Sequence, residues 1–339
     1  MAVATDVGAW RVLEPVIAEL RRRGRDACPM LAGKAAEYAG RAGVACLTLT
    51  GATLAEQAAL VLDAEPRVLL LGTSVGEVVE WELARRARGR VPTVGVLDAM
   101  LFVERRFSDR LVALADVVAC LDPESAERLF RAGARPEQAV VTGNPTLELI
   151  GATEADGGPP PRAPGEPVDV LFVSQPVTRI GRAASPFSID ERRSLEDVLA
   201  ALADLRDLAP AGYRVRVRPH PIERLDHLPD GPVGVALERD DDPDRFRSAR
   251  RVRVVVGLSS TLLAEARMLP RAAIAYLPGR YWDREPVYAS EQGVRMARSV
   301  VDLRGMLAAA IRDAPVPAPF AAHAGAASRV IDLVLAAAR

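Results

Sequence analysis

Lysine is nearly missing from this chain. Lys34 is the only one in 339 residues, so almost all positive charge is arginine. That skew reads as the mark of a GC-rich genome, not of a function. Histidine and cysteine are scarce too: His220, His227 and His323; Cys28, Cys46 and Cys120. No CxxC, HExxH or paired-histidine spacing occurs, which argues against zinc. Each cysteine lies in or beside an apolar run, as expected of buried free thiols in a reducing compartment. Formal net charge is −1, so no basic field points to nucleic acid. No basic leader precedes an apolar block, and no apolar run is long enough to cross a bilayer. The expectation is a soluble cytoplasmic protein with no nucleic-acid partner and no membrane span. Signature loops are absent as well. Without GxGxxG, GxxxxGK[ST] or GxSxG, a nicotinamide or flavin cofactor, a Walker-type nucleotidase and a serine-hydrolase elbow are disfavoured.

What is present is alternation. Hydrophobic residues make up 49% of the chain, enough for two cores at this length. Short apolar runs predict strands over 1–5, 27–31, 44–49, 67–71, 93–97, 115–121 and 139–141. Helical periods predict helices over 10–23, 34–42, 54–62, 75–88 and 124–132. The run Arg21-Arg22-Arg23-Gly24 is a helix stop. Continuous apolar strands between helices predict a parallel sheet covered on both faces. Ligands of such sheets bind beyond the carboxyl ends of the strands. Those ends carry Asp6, Gly8, Thr73, Ser74, Asp98 and Asn144.

Residues 154–167 are rich in glycine and proline and predict an interdomain linker. The alternation then restarts. Strands are expected over 168–173, 213–218, 233–237, 252–256 and 272–276, and helices over 190–208, 303–311 and 326–338, with an acidic turn at 238–244. The strand over 213–218 alternates Tyr213, Val215 and Val217 with Arg214, Arg216 and Arg218, the pattern of a half-covered strand. The organising stretch follows the strand over 252–256: a turn at Gly257, then a helix opening on Ser259-Ser260-Thr261. Unpaired amides at a helix start accept an anion, typically phosphate. Glu265, one turn further in, is placed to reach a ribose hydroxyl pair. The competing reading is that the serines only cap the helix. The fold class expected is α/β, with two Rossmann-like domains facing a cleft: an acceptor-side domain over 1–150, a linker over 151–167, a donor domain over 168–320 and a C-terminal helix over 321–339.

Ser174-Gln175-Pro176, Arg218-Pro219-His220-Pro221 and Gly257-Leu258-Ser259-Ser260-Thr261 with Glu265 occur in an order that resembles the nucleotide-binding domain of GT-B glycosyltransferases. They look most like the branch of bacterial sialyltransferases, polysialyltransferases and capsule-type relatives. The resemblance implies that His220 and Ser259, Ser260 and Thr261 hold donor phosphate or ribose, with Glu265 on the ribose. The runs Val96-Leu97-Asp98 … Arg105-Arg106-Phe107 and Thr142-Gly143-Asn144-Pro145 also look like those of sugar-nucleotide enzymes. That branch carries an acidic pair followed by glycine as its base; here only Asp6-Val7-Gly8 and Gly76-Glu77 approximate it.

Each candidate has a chemical role and a plainer rival. His220, rigid between two prolines, would stabilise a leaving phosphate. Arg218 would do so through a planar fork, or sit on a solvated strand face. Asp6 and Asp98 are the candidate bases toward a hydroxyl, or helix caps. Gly8 allows close ligand approach. Thr73 and Ser74 bind acceptor hydroxyls or cap a helix. Arg105-Arg106 grip an acidic acceptor or lie on a solvated helix face. Asn144 is a turn device facing the cleft. Ser174 and Gln175 line the donor side, and Tyr281-Trp282 stack on a base or pack. The resulting expectation is a glycosyltransferase moving a sugar from a nucleotide-sugar donor to a small-molecule or glycan acceptor, with no metal and no cofactor beyond the nucleotide-sugar co-substrate. The alternatives are a sugar-nucleotide 2-epimerase or hydrolase, a glycerophosphotransferase-like enzyme on the same fold, and a non-catalytic nucleotide-sugar-binding subunit.

Overall fold

The computed structural model describes residues 1–99, 103–107, 111–154, 163, 165–176, 190–220, 223, 228–242, 244–278, 288, 293–313 and 323–339. The chain divides into two compact units, Met1–Leu149 with Phe320–Arg339, and Ile150–Pro319.

The first unit runs β1 (Ala2–Ala4), α1 (Val7–Arg22), β2 (Pro29–Leu31), α2 (Gly33–Arg41), β3 (Leu47–Thr48), α3 (Leu54–Asp63), β4 (Leu69–Leu71), α4 (Val79–Ala87), β5 (Thr93–Val96), β6 (Val117–Cys120), α5 (Pro123–Arg131), β7 (Ala139–Val141) and α6 (Pro145–Glu154). Its sheet is parallel in the order β3-β2-β1-β4-β5-β6-β7. The order therefore reverses between β1 and β4, the place where such sheets open a crevice for ligands. Helix α1 buries Trp10, Leu13, Ile17 and Leu20, spaced three and four apart, and ends on Arg21 and Arg22. It lies so close to the end of β4 that a Cβ on Gly72 would stand 2.6 Å from Ala9 Cβ.

The second unit runs β8 (Val168–Val173), α7 (Glu191–Ala203), β9 (Tyr213–Arg218), β10 (Val235–Arg239), α8 (Arg245–Arg250), β11 (Val254–Gly257), α9 (Thr261–Met268), β12 (Ala272–Tyr276), β13 (Arg295–Ala297) and α10 (Val300–Arg312). Its sheet is also parallel, in the order β10-β9-β8-β11-β12-β13, and reverses between β8 and β11. Strand β9 alternates as its sequence predicts, with Tyr213, Val215 and Val217 buried under α7 and α10.

Several elements differ from the expectations. Helix α6, helix α8 and strand β13 were not anticipated; each is short or lacks a clean apolar period. The strand over 44–49 pairs only at Leu47–Thr48, and the helix over 75–88 starts at Val79. Cys120 is buried, but Cys28 and Cys46 are only half-buried. No helix among the described residues is long and apolar enough to cross a membrane.

The last helix, α11 (Ala326–Ala337), belongs to the first unit and packs Ala327, Val330 and Ile331 into its core. Polar contacts fix it there. The Glu148 carboxylate accepts the Gly325 and Ala327 N–H groups at 2.6 and 2.8 Å, answering amides that a helix start leaves open. Arg329 Nε donates to the Thr142 carbonyl at 2.8 Å. His323 is 1% exposed, and its Nδ1 accepts the Asn144 N–H at 3.2 Å. That bond requires a neutral ring. Burial, helped by the nearby Arg329 charge, pulls the His323 pKa down to about 4 from 6.5. A base with a depressed folded pKa takes up protons more readily when unfolded, so its contribution to stability falls as pH drops from 6.5 toward 4. Hydrogen exchange should show α11 losing protection over that interval, and His323→Gln should flatten the dependence relative to the parent.

Candidate functional site

In both units the predicted site residues gather where the strand order reverses. In the first unit β1 ends at Thr5-Asp6 and β4 at Thr73-Ser74. Ser74 Oγ accepts the Asp6 N–H at 2.9 Å and donates to Glu80 Oε1 at 2.5 Å. Asp6 precedes α1 as its N-cap residue but makes no side-chain cap bond. Its Oδ2 instead accepts the Val75 N–H at 3.3 Å. Asp98, just past β5, places Oδ1 on Thr73 Oγ1 at 2.9 Å and in an ion pair with Arg106. Arg106 also donates to the Thr73 carbonyl at 2.7 Å. Asp98 Oδ2 lies over the first turn of α1, 2.5 Å from where a Cβ on Gly8 would stand. Glycine at position 8 thus admits the chain's own carboxylate.

Four expectations are corrected in this unit. Thr73 and Ser74 are 2% and 1% exposed, with their hydroxyls engaged by Asp98 and Glu80, so they brace the site and do not present hydroxyls to an acceptor. Asn144 is buried, and its Oδ1 accepts the Thr146 and Leu147 N–H groups at 2.8 and 3.2 Å, which makes it the cap of α6. Arg106 is buried against Asp98 and not on a solvated face. The side chain of Arg105 lies outside the described residues.

In the second unit β9, β8 and β11 end side by side, so Arg218-Pro219-His220, Ser174-Gln175 and Ser259-Ser260 are neighbours. A run of contacts joins them. The His220 N–H donates to Glu223 Oε2 at 2.6 Å, and Ser174 Oγ donates to Glu223 Oε1 at 2.7 Å. Gln175 Oε1 accepts the Ser259 N–H at 2.5 Å, while Gln175 Nε2 donates to Ser259 Oγ at 3.2 Å. Ser260 caps α9, its Oγ accepting the Leu262 N–H at 3.3 Å. The amides of Ser260 and Thr261 donate to no group among the described residues, and Thr261 is exposed. They stand at the positive end of the helix, where negative charge is favoured. The buried Tyr288 backs this mouth by donating its hydroxyl to the Ser260 carbonyl at 2.6 Å. Burial and the nearby Glu265 raise its phenol well above the ordinary range.

Two donor-side expectations change here. Arg218 turns inward, with Nη1 on Asp240 at 2.7 Å, the Asp242 carbonyl at 2.9 Å and Ser248 Oγ at 3.2 Å, and braces the loops after β9 and β10. Glu265 is 5% exposed, and both its oxygens are held by Arg245, at 2.7 Å from Nε and 2.6 Å from Nη2. Arg245 also lies over the Phe246 ring, 4.5 Å from its centroid. A ribose reaches Glu265 only if this pair opens. Tyr281-Trp282 lie outside the described residues. Glu80, Glu223, Arg245 and Tyr288 were not singled out from the sequence. Among the described residues no group of three or more His, Cys, Asp or Glu could hold a metal ion.

Glu265 is buried and Arg245 half-buried, so deleting the arginine strands a buried carboxylate. Arg245→Met should lower stability by about 3–5 kcal/mol, read from the urea unfolding of this unit. Adding Glu265→Gln should restore most of the loss.

No family model matches the sequence, and no curated protein matches it either. Solved structures do match in shape. The UDP-GlcNAc 2-epimerase of Neisseria meningitidis bound to UDP-GlcNAc has a TM-score of 0.66 at 12% identity, covering 99% of each chain. The UDP-GlcNAc 2-epimerase of Methanocaldococcus jannaschii gives 0.66 at 10% identity, again over 99% of each chain. A glycotransferase of kitacinnamycin gives 0.63 at 14% identity, over 99% of this chain and 98% of that one. At such identities the likeness shows the fold alone. The chain has the GT-B fold of two Rossmann-like α/β units.

Proposed function

We propose that the protein acts on a nucleotide-activated sugar, and that the reaction is an epimerisation at C2 of the sugar, not transfer to an external acceptor. The observation that supports this choice is closeness of shape: the 2-epimerase structures match with TM-scores of 0.64–0.68, against 0.63 for the kitacinnamycin glycotransferase. The open amides of Ser260 and Thr261 supply what a nucleoside diphosphate needs, paired N–H donors at a helix start. Gln175 and His220 flank that seat.

The chemistry falls to the first unit. Inverting C2 breaks its C–H bond, which calls for a proton acceptor; the electron pair left behind expels the nucleoside diphosphate from C1, and return of the diphosphate to C1 with a proton to the other face of C2 completes the inversion. Asp98 fits that role. Arg106 and Thr73 hold Oδ1, while Oδ2 has no partner among the described residues. Asp6, with one long bond from Val75, is the second candidate. Transfer to an acceptor is the second reading, favoured by the likeness to the kitacinnamycin glycotransferase.

The test is proton NMR of the purified protein with UDP-GlcNAc in D2O, followed by a panel of UDP-, GDP-, dTDP- and CMP-sugars. Epimerisation should invert C2 and carry deuterium into that position without any acceptor. Asp98→Asn should slow turnover by about 10²-fold while UDP binding, followed by calorimetry, persists. Nucleotide release that requires an added acceptor would favour transfer. Binding without turnover of any donor would leave a binding subunit.

A further inference from the structure

Glu80 is a buried carboxylate that none of the proposed chemistry uses. It stands in the first turn of α4 and is 3% exposed. Its Oε1 accepts the Thr5 N–H at 2.9 Å and the Ser74 hydroxyl at 2.5 Å, and its Oε2 accepts the Thr5 hydroxyl at 2.6 Å. Ser74 in turn accepts the N–H groups of Asp6 and Thr5, at 2.9 and 3.3 Å. One carboxylate thus joins the end of β1 to the end of β4 across the gap where the sheet reverses. The Asp6–Val75 bond and the backbone bond from Gly72 N–H to the Val3 carbonyl also join those ends. No cation is among its hydrogen-bond partners, and burial raises its pKa from 4.5. An acid with a raised folded pKa favours the folded chain less as pH rises from 4.5 through the folded value. A group that weakens the fold when charged, at the mouth of a site, is the pattern of a functional position.

We propose that Glu80 is a positioning residue for the site in the first unit: through Ser74 and Thr5 it fixes the Thr5-Asp6 turn and the head of α1, on which Asp6, Gly8 and Asp98 depend. The inference rests on the nucleotide-sugar reading for its activity readout. The frame needs one oxygen that accepts from both Thr5 N–H and Ser74, and a second polar atom bonded to the Thr5 hydroxyl. A glutamine satisfies it, because its oxygen accepts from Thr5 N–H and Ser74 while its amide donates to the Thr5 hydroxyl, which reverses its role. An alanine leaves those buried groups unanswered.

The experiment compares the parent with Glu80→Gln, Glu80→Ala and Ser74→Ala. It measures kcat and KM for the nucleotide sugar, the stoichiometry of UDP binding by calorimetry, and amide exchange at Thr5 and Asp6. Glu80→Gln should keep kcat within about threefold. Glu80→Ala and Ser74→Ala should lower kcat by about tenfold or more at nearly unchanged KM. UDP stoichiometry should stay at the parent value, and the two amides should lose protection. If kcat falls only in step with UDP stoichiometry, the effect is unfolding and the proposal is overturned. It is also overturned if Glu80→Gln falls as far as Glu80→Ala, or if Glu80→Ala keeps its rate. A parent that turns over no sugar nucleotide sinks the functional reading itself; protection of the Thr5 and Asp6 amides that survives in Glu80→Ala would then overturn the frame separately.

Discussion

Where a parallel sheet reverses its strand order, two neighbouring strands send their chains to opposite faces, and the polar groups at their ends lose the loop that would have covered them. Everything of chemical interest in this chain follows from how those two gaps are bridged. In the first unit the bridge is Ser74, held by Glu80 and accepting from Thr5 and Asp6. In the second it is Gln175, whose oxygen accepts the Ser259 amide. Both bridges satisfy backbone donors that burial would otherwise leave unanswered, at about 1–3 kcal/mol each.

The two bridges differ in charge, and the difference divides the labour. The second unit uses a neutral amide, and among the described residues the next two N–H groups, at the positive end of α9, meet no acceptor and no carboxylate. That environment favours a phosphate. The first unit sets Asp6, Glu80 and Asp98 around the head of α1, with Arg106 paired to Asp98. Among the described residues three carboxylates thus stand near one guanidinium, a setting that disfavours a bound anion. The same division explains why Glu265 is closed off by Arg245: an uncovered carboxylate one turn from the open amides would oppose the anion they attract.

The fold was legible because its signal is local. Strands such as 168–173 and 252–256 are apolar runs that end on polar residues, and the first six or seven residues beyond each run name the loop that carries the site. The positions of Asp6, Thr73, Asp98, Gln175, His220 and Ser259 at strand ends could all be read this way. What the residues do there could not, because their partners are remote in sequence. Thr73 meets Asp98 25 positions on, Thr5 meets Glu80 75 positions on, and Gln175 meets Ser259 84 positions on. Glu80 itself sits in an ordinary charged helical run, and nothing in its neighbours marks it as buried. Arg218 shows the converse error: alternation within β9 reads as one face in solvent, yet the last arginine of that face turns into the loops beyond the strand.

The partners chosen by these residues also bear on why the motifs pointed to one branch of enzymes and the shape to another. Short motifs record the anion seat, Ser259-Ser260-Thr261 after a glycine, which any enzyme with a nucleotide leaving group requires. They carry little about the reaction. On the proposed reading the reaction is set in the first unit, where the motif signal is weakest and where the acidic-pair-glycine pattern is missing. There the decisive arrangement is Asp98 clamped by Arg106 with one oxygen turned toward Gly8. A carboxylate held by one oxygen in this way is fixed in space, with the other left to meet a ligand, and fixed geometry is what a group acting on a bound molecule requires.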